Sequence, residues 1–148
     1  MCGYREFVRE KMQTFLPYPD FGKSAFCLDR KRLGKQRVEA LTILKTLLGI
    51  NKGWINHPAV KMWRGYEGAL ALYGLAICEE WTKRGYQDSC RSQIEVLIPV
   101  NNIEQMPFWL GNESFHSCHR ATLLFKNSGW YGGFGWIEYP KKQYYWPV

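Results

Sequence analysis

The stretch AFCLDRKRLGKQRVEALTILKTLL, residues 25–48, decides the fold class, because it combines a helical periodicity with a single acid among bases. Arg32, Lys35, Gln36 and Glu39 fall at positions i, i+3, i+4 and i+7. A helix therefore places all four side chains on one face. Most leucines of the stretch fall on the other side, which predicts an amphipathic helix.

The ends of this helix carry recognisable signals. We predict one long helix over residues 25–48, with Ser24 as its N-cap and Gly49 closing it. Gly34 is a weak point in the interior, where glycine costs about 1 kcal/mol relative to alanine. Glycine at this position also lets another backbone, or DNA, approach the helix closely.

The lone carboxylate on this face has two interpretations. A basic, nucleic-acid-binding enzyme needs cations for phosphates and one carboxylate for the sugar or base. A solvated helix face shows the same pattern, with Glu39 paired to Lys35 four residues earlier, an interaction worth about 0.3–0.5 kcal/mol. Both interpretations are open from the periodicity alone.

The rest of the chain also favours helices. The next elements that we predict are a helix from Pro58 to Arg84 capped by Gly85, a loop over residues 99–112, and a helix from Ser114 or Ser117 to about Lys126. Residues 69–78 are apolar nearly all round, so the second helix is expected to be central and buried.

The last part of the chain, residues 129–148, alternates aromatic side chains with Gly, Pro and Lys. Such a segment cannot be regular helix for long, and it must pack on the helices or face a ligand. We therefore predict an all-α fold, a small three-helix domain with an irregular aromatic C-terminal tail. We expect residues 1–148 to form a single domain, in which residues 1–13 are an N-terminal extension.

Composition points to an anionic partner. The 148 residues carry 20 Lys and Arg against 13 Asp and Glu, a formal net charge of +7, so nucleic acid is the first candidate. Aromatic residues make up 16% of the chain, and some of them are expected to stack on bases. The alternative is that they fill the core and its surface grooves.

Several classes of protein are excluded by what the sequence lacks. It has no run of twenty apolar residues and no apolar core near its charged N-terminus, so neither a membrane span nor a signal peptide is expected. Five cysteines without a CxxC pair indicate reduced thiols in a cytoplasmic protein. His116, Cys118 and His119, with Cys90, match no standard zinc spacing. We expect no metal, no cofactor and a monomer.

Three blocks of sequence, in this order, resemble the phage-type endonuclease V family, the pyrimidine-dimer DNA glycosylases. Residues 28–40 look like the first helix of the family, and Glu39 falls where the family keeps its catalytic glutamate. Residues 57–86 end in EWTKRGY, and residues 117–135 follow with Trp-Tyr and Gly. The stretch MQTFLPYPDF, residues 12–21, is most similar to an uncharacterised bacterial branch.

The resemblance implies an endonuclease V-like domain over residues 14–148 and a DNA repair enzyme that binds and bends damaged double-stranded DNA. In the family an N-terminal α-amine, with a pKa of about 7.7–8.0, attacks C1′ of the sugar, and the resulting imine collapses by β-elimination and nicks the strand. A nearby carboxylate stabilises the cationic sugar and moves protons. In this chain the corresponding region, residues 13–18, is internal.

The candidate catalytic residues are therefore Glu39, Thr14, which resembles the nucleophilic residue type of the family, and Lys35, a second possible imine-forming amine. Candidate DNA contacts combine cations, polar groups and aromatic rings: Arg32, Lys35, Gln36, Arg37, His57, Arg120, Lys126, Trp130 and Tyr131. By its position before Pro58, His57 is better placed to cap the second helix.

Two other functions are open from the sequence. One is a non-catalytic nucleic-acid-binding module that keeps the fold without a nucleophile. The other is an enzyme that cleaves the glycosidic bond of modified bases or nucleosides by means of its carboxylate alone.

Overall fold

The computed structural model describes residues 12–98 and 105–148. Within these residues the chain forms α-helices and one 3-10 helix and contains no strand, which confirms the predicted all-α class. The helices are α1 (Phe21–Cys27), α2 (Arg30–Leu47), α3 (Pro58–Lys61), α4 (Glu67–Lys83), α5 (Arg91–Leu97), α6 (Glu113–Lys126) and α7 (Ser128–Tyr131), and the 3-10 helix spans Gly132–Phe134. Most of the predicted extension, residues 1–11, lies outside the described residues.

The predicted helix over residues 25–48 is two helices, so the prediction of one continuous element is wrong. The backbone is extended at Leu28 and Asp29, which separates α1 from α2. The break is fixed from a distance, because the Asp29 amide donates to the Tyr131 hydroxyl oxygen at 3.0 Å. Leu28 is fully buried at the same point, and a continuous helix would place neither group there.

Several predicted helix ends are tested by the structure. The N-cap prediction at Ser24 is wrong, because Ser24 is buried inside α1 and Asp20 caps that helix. His57 caps α3 with Nδ1, as its position before Pro58 predicted. Gly49 and Gly85 follow α2 and α4 in the left-handed region, at φ +80° and +95°, as predicted.

The predicted helix from Pro58 to Arg84 is also interrupted. A turn separates α3 from α4, with Gly65 at φ +88°. The turn delivers Trp63 to the core, where its ring lies edge-on to Trp109 with the centroids 4.9 Å apart. Helix α5 was not predicted, whereas α6 closely matches the predicted third helix.

Helix α4 is central, as its apolar composition predicted, and it packs against α1, α2 and α5. Gly34 of α2 lies against the indole of Trp81 at the end of α4, so closely that a Cβ would lie 2.9 Å from Cη2. The close approach predicted at this glycine is therefore made by a tryptophan of α4 rather than by DNA.

The aromatic tail packs on the helices. Its first part is helical, and Tyr131 is fully buried with the ring of Trp136 stacked 5.6 Å away. Beyond Gly135 the chain is irregular, as predicted, and Lys141 and Gln143 bond to α6 through their backbone nitrogens. In the described part of the chain, no helix has both the length and the apolar character needed to cross a bilayer.

Candidate active site

The segment before α1 is buried over residues 13–17 and has neither helical structure nor a partner strand among the described residues. Residues 13–17, which we name the inner segment, bond instead to side chains of the helices. Its donors and acceptors are matched by Glu39 and Gln36 of α2, Tyr73 of α4, and His116, His119 and Arg120 of α6. Buried backbone groups need such partners, so the position of this segment is fixed by the helices.

Gln36 is the link between the inner segment and the carboxylate. Its side-chain amide donates to the carbonyl oxygen of Gln13 at 2.7 Å and to Glu39 Oε2 at 2.9 Å. Its side-chain oxygen accepts from the Phe15 amide at 3.0 Å. Gln36 was predicted to contact DNA, but it is 1% exposed, so its position makes it a support for the site.

His116 and His119 hold the two backbone groups of Leu16. The Leu16 amide donates to His119 Nδ1, and His116 Nδ1 donates to the Leu16 carbonyl, both at 2.8 Å. Burial lowers the pKa of His116, and it lowers the pKa of His119 to about 3, so both rings are neutral at physiological pH. No potential metal-binding group of three or more His, Cys, Asp or Glu side chains occurs among the described residues.

Glu39 lies where the inner segment meets α2. Its Oε2 accepts from the Gln13 backbone amide at 3.2 Å, and its Oε1 lies 3.6 Å from Lys35 Nζ. The Glu39 side chain is 13% exposed and that of Lys35 is 55% exposed. One carboxylate oxygen, Oε2, therefore accepts hydrogen bonds within the protein, and the other, Oε1, lies beside the exposed amine of Lys35.

Desolvation by this environment raises the pKa of Glu39 from 4.5 to about 7, against the opposing effect of the Gln13 amide and Lys35. A carboxyl group with this pKa exchanges protons near neutral pH, which is the property that a catalytic acid or base needs. An exposed helix salt bridge, the other interpretation of the sequence, would leave the carboxyl group well solvated.

The raised pKa makes a prediction for stability. An unfolded Glu39 ionises near pH 4.5 and the folded one near pH 7, so folding becomes less favourable as the pH rises through this window. Replacement Glu39→Gln should increase the free energy of unfolding by about 1–3 kcal/mol at pH 8 and much less at pH 4. Urea unfolding at both pH values measures this.

The matched control for that measurement is Glu95→Gln on α5, whose carboxylate is exposed and lies 3.8 Å from Arg91. It should change the free energy of unfolding by less than about 0.5 kcal/mol at either pH. An equal effect of Glu39→Gln at pH 4 and pH 8 would contradict the desolvated carboxylate.

Thr14 is not at the open edge of the site. It is fully buried, its amide donates to the side-chain oxygen of Gln13, and its hydroxyl accepts from Trp63 Nε1 at 3.0 Å. The backbone nitrogen that contacts Glu39 belongs to Gln13, one residue earlier.

A family model described as pyrimidine dimer DNA glycosylase matches residues 12–93. The chain belongs to this family. The match covers more than half of the 148 residues, and it includes the inner segment from its first residue, all of α2 with Glu39, and α4. No curated protein and no solved structure matches the chain.

Membership of the pyrimidine dimer DNA glycosylase family connects this fold with DNA as a substrate and with DNA repair. The match includes the first two of the three blocks that carried the resemblance and ends before the third, residues 117–135. The branch of the family to which the chain is most similar stays a prediction.

Several cations predicted to bind phosphate are engaged within the protein. Arg32 pairs with Asp29 at 3.2 Å, and Arg37 pairs with Asp88 at 2.6 Å while stacking on Trp81. Arg120 bonds to Glu113, to Glu138 and to the Pro17 carbonyl. These guanidinium groups brace the fold around the site.

The remaining predicted contacts divide by exposure. His57 and Tyr131 are buried, where they cap α3 and bond to Asp29. Lys126, at the end of α6, is half-buried. Trp130 is 44% exposed, with its indole N–H bonded to the Cys27 carbonyl. Together with Lys35, Trp130 is the predicted contact that is most open to a large ligand.

The contacts of these two residues lie near the start and in the middle of α2. The Asp29–Tyr131 contact places α7 at the start of α2, and Glu39 lies ten residues later, about 15 Å along the helix axis. The exposed cations Arg30, Lys31 and Lys35 occupy this part of α2. The sequence did not single out Arg30 or Lys31 as DNA contacts.

The sequence reading also missed three supports of the site: Gln13, His116 as a hydrogen-bond donor, and His119 as an acceptor. The two histidines did carry a signal, because their i, i+3 spacing places them on one face of a helix. In the sequence this spacing matches no standard zinc pattern, and only the packing of α6 against the inner segment shows that the two rings bond to the backbone of Leu16. For Gln13 the resemblance gave only the region, residues 13–18, that corresponds to the nucleophile of the family.

Proposed function

We propose that this protein is a DNA repair glycosylase that cleaves the N-glycosidic bond of a dimerised pyrimidine in double-stranded DNA, with Glu39 as the catalytic carboxylate. The observation that carries the proposal is the position of Glu39 in a member of this family. Its carboxylate is largely desolvated, accepts hydrogen bonds from Gln13 and Gln36, and has its other oxygen beside Lys35.

The chemistry follows from the charge that develops at the sugar. As the bond between C1′ and the base breaks, positive charge grows on the sugar ring. A carboxylate held in a site of low dielectric stabilises that charge more strongly than one in water. The hydrogen bonds from Gln13 and Gln36 fix the direction of the Glu39 carboxylate before the substrate arrives.

The binding of DNA is supported by the exposed edge of α2. Lys31 and Lys35, one turn apart on α2, present exposed cations on the side of the helix that carries Glu39, whereas the Arg30 guanidinium lies over the Tyr86 ring, 5.2 Å from its centroid. Trp130, near the start of α2, is 44% exposed with the Arg84 guanidinium 5.9 Å from its ring centroid, and the exposed part of its indole can stack on a base.

A duplex oligonucleotide with one thymine dimer tests the proposal. Cleavage of one glycosidic bond leaves the base tethered through the dimer, so the product is detected as an alkali-labile site in the strand, and photoreversal then frees the base. We expect alkali-labile sites at the dimer and none in the undamaged duplex. Absence of both products at pH 6 to 8, under conditions where the duplex is bound, would refute this function.

The same experiment distinguishes a non-catalytic module. Salt-sensitive binding of both duplexes, unchanged by Glu39→Gln and without any alkali-labile product, would assign the fold to binding alone. Cleavage of oxidised pyrimidines or nucleosides in place of the dimer would assign the carboxylate to another substrate.

A further inference from the structure

The loop between α2 and α3 holds a tryptophan in a strained backbone conformation. Residues 49–56, which we name the α2–α3 loop, include Trp54 at φ +64°. Among the described residues, Trp54 is the one residue other than glycine with a positive φ, and this left-handed region costs a bulky side chain free energy. The backbone conformation suits glycine or asparagine, so it does not explain why a tryptophan stands here.

Burial does not explain the tryptophan either. Trp54 is 50% exposed, and its neighbours in the loop, Ile50 and Ile55, are exposed as well. The Trp54 ring lies edge-on to the ring of His57, with the centroids 5.9 Å apart. Three apolar side chains of one short loop therefore face solvent, as they do at surfaces that bind a partner.

The α2–α3 loop is held against the face of α2 that carries Glu39. The Thr46 hydroxyl donates to the Gly53 carbonyl at 3.5 Å. Thr46 follows Glu39 by seven residues, which is close to two helical turns, so both side chains lie on one face of α2. Gly53, the neighbour of Trp54, therefore lies about 10 Å further along the axis of α2 than Glu39. This distance corresponds to about three base steps of one DNA strand.

The charges near the loop favour a polyanion as its partner. Residues 40–66 contain four Lys and Arg and no Asp or Glu. Lys52, two residues before Trp54, is exposed, and so is Arg64, whose guanidinium donates to the Ile55 carbonyl at 2.9 Å. An exposed aromatic ring between cations matches the chemistry of a DNA strand, which offers base faces beside phosphates.

We propose that Trp54 is a specificity-determining residue, which stacks on a base near the lesion and thereby favours damaged over undamaged duplex. The inference rests on the proposed function, because it takes damaged double-stranded DNA as the ligand. A tryptophan stacks only on a base face that the duplex exposes. Exposing a base costs less free energy at a lesion than in an intact duplex, so this contact adds more to the binding of damaged DNA.

The test measures equilibrium binding of the full chain to two duplexes of one sequence, with and without a single thymine dimer. Trp54→Asn removes the ring and keeps a residue that tolerates the left-handed conformation. We expect it to weaken binding of the dimer duplex about tenfold or more, and binding of the undamaged duplex less than about threefold. Trp54→Phe keeps an aromatic ring and should bind the dimer duplex within about threefold of the wild type.

A fluorescent base reports the stacking itself. The base analogue 2-aminopurine is placed, in separate dimer duplexes, at each position within about three nucleotides of the lesion. The wild type should quench its fluorescence at one or more positions where Trp54→Asn does not. The matched control is Phe108→Asn, which removes an exposed ring from the turn before α6 and should bind and quench as the wild type does.

Urea unfolding separates the role of the ring from a structural one. Trp54→Asn should not lower the urea midpoint, because asparagine relieves the strain at this position. A lowered midpoint with equal weakening of binding to both duplexes, or quenching that persists in Trp54→Asn, would overturn the proposal. Self-association of the wild type that Trp54→Asn removes would also overturn it, since the loop would then contact a second copy of the chain.

Cleavage of the dimer, measured in parallel, distinguishes this proposal from the proposed function. A preference for the dimer duplex that depends on Trp54, without cleavage at the dimer, would support Trp54 as a stacking residue and refute the glycosylase activity. Cleavage at the dimer by a Trp54→Asn variant with unchanged preference would refute the role of Trp54 and leave the glycosylase activity in place.

Discussion

Replacement Glu39→Gln should abolish cleavage at the thymine dimer, with a fall of about 10²–10⁴-fold or more in the single-turnover rate. The amide keeps the shape of the side chain and still accepts from Gln13 and Gln36, but it brings no negative charge to the sugar and accepts no proton. Formation of alkali-labile sites under excess protein measures the rate. Binding of the duplex should change much less, because the exposed cations of α2 remain.

The pH dependence of the wild type provides a second measure of the same group. Because burial raises the pKa of Glu39 to about 7, the fraction of ionised carboxylate falls as the pH drops below 7. The rate of cleavage should fall with it, since the ionised form stabilises the sugar. A rate that is unchanged between pH 8 and pH 5.5 would contradict the assignment.

The control for the activity measurement is again Glu95→Gln, which removes an exposed carboxylate from α5. Its rate should lie within about twofold of the wild type. Glu39→Gln should also remain folded, since its free energy of unfolding at pH 8 is expected to rise rather than fall. If Glu39→Gln cleaves the dimer at the wild-type rate, Glu39 is not the catalytic glutamate that the resemblance implies.

Replacement Gln36→Leu should cost about 2–6 kcal/mol of unfolding free energy, the largest effect on stability that we expect. Leucine is apolar and leaves the Gln13 carbonyl and the Phe15 amide without their partner in the interior. Each buried backbone group that loses its hydrogen bond costs about 1–3 kcal/mol. A cost of this size is a large part of the stability of a small domain.

Urea unfolding measures this effect, with Gln93→Leu as the matched control. Gln93 is exposed on α5, where its amide donates to the Ser89 carbonyl, and its replacement should cost less than about 0.5 kcal/mol. A cost below 1 kcal/mol for Gln36→Leu would show that the inner segment finds other partners. In that case the fixed position of Gln13 beside Glu39 would not depend on Gln36.

The elements that the sequence predicted well are those with local causes. The apolar run of α4, the glycines after α2 and α4, and His57 at the start of α3 depend on neighbours within one or two helical turns. The two helices that were predicted to be continuous are interrupted where residues distant in the sequence make contacts. Tyr131 bonds to Asp29 across 102 positions, and Trp63 turns into a core shared with Trp109.

The candidate site shows the same division. The pairing of Lys35 with Glu39 follows from a separation of four residues on a helix, and the sequence contains it. Gln36 is buried on the same face, and Arg37 forms an ion pair with Asp88. Both outcomes depend on the segments that pack against α2. Periodicity assigns residues to a face, but it does not say which part of that face another segment covers.

The sequence by itself therefore determined the helical class, the basic face of α2 and the acid that stands in it, because these follow from helix geometry and residue chemistry. The tertiary structure alone decided that Gln13, 26 positions away, meets Glu39, and that two histidines a hundred positions away hold Leu16. These contacts join segments far apart in the chain, and only the packing of the helices around the inner segment brings them within hydrogen-bond distance. The same packing buries Glu39, and this burial raises the pKa of its carboxyl group to about 7, which favours a catalytic carboxylate over a surface salt bridge.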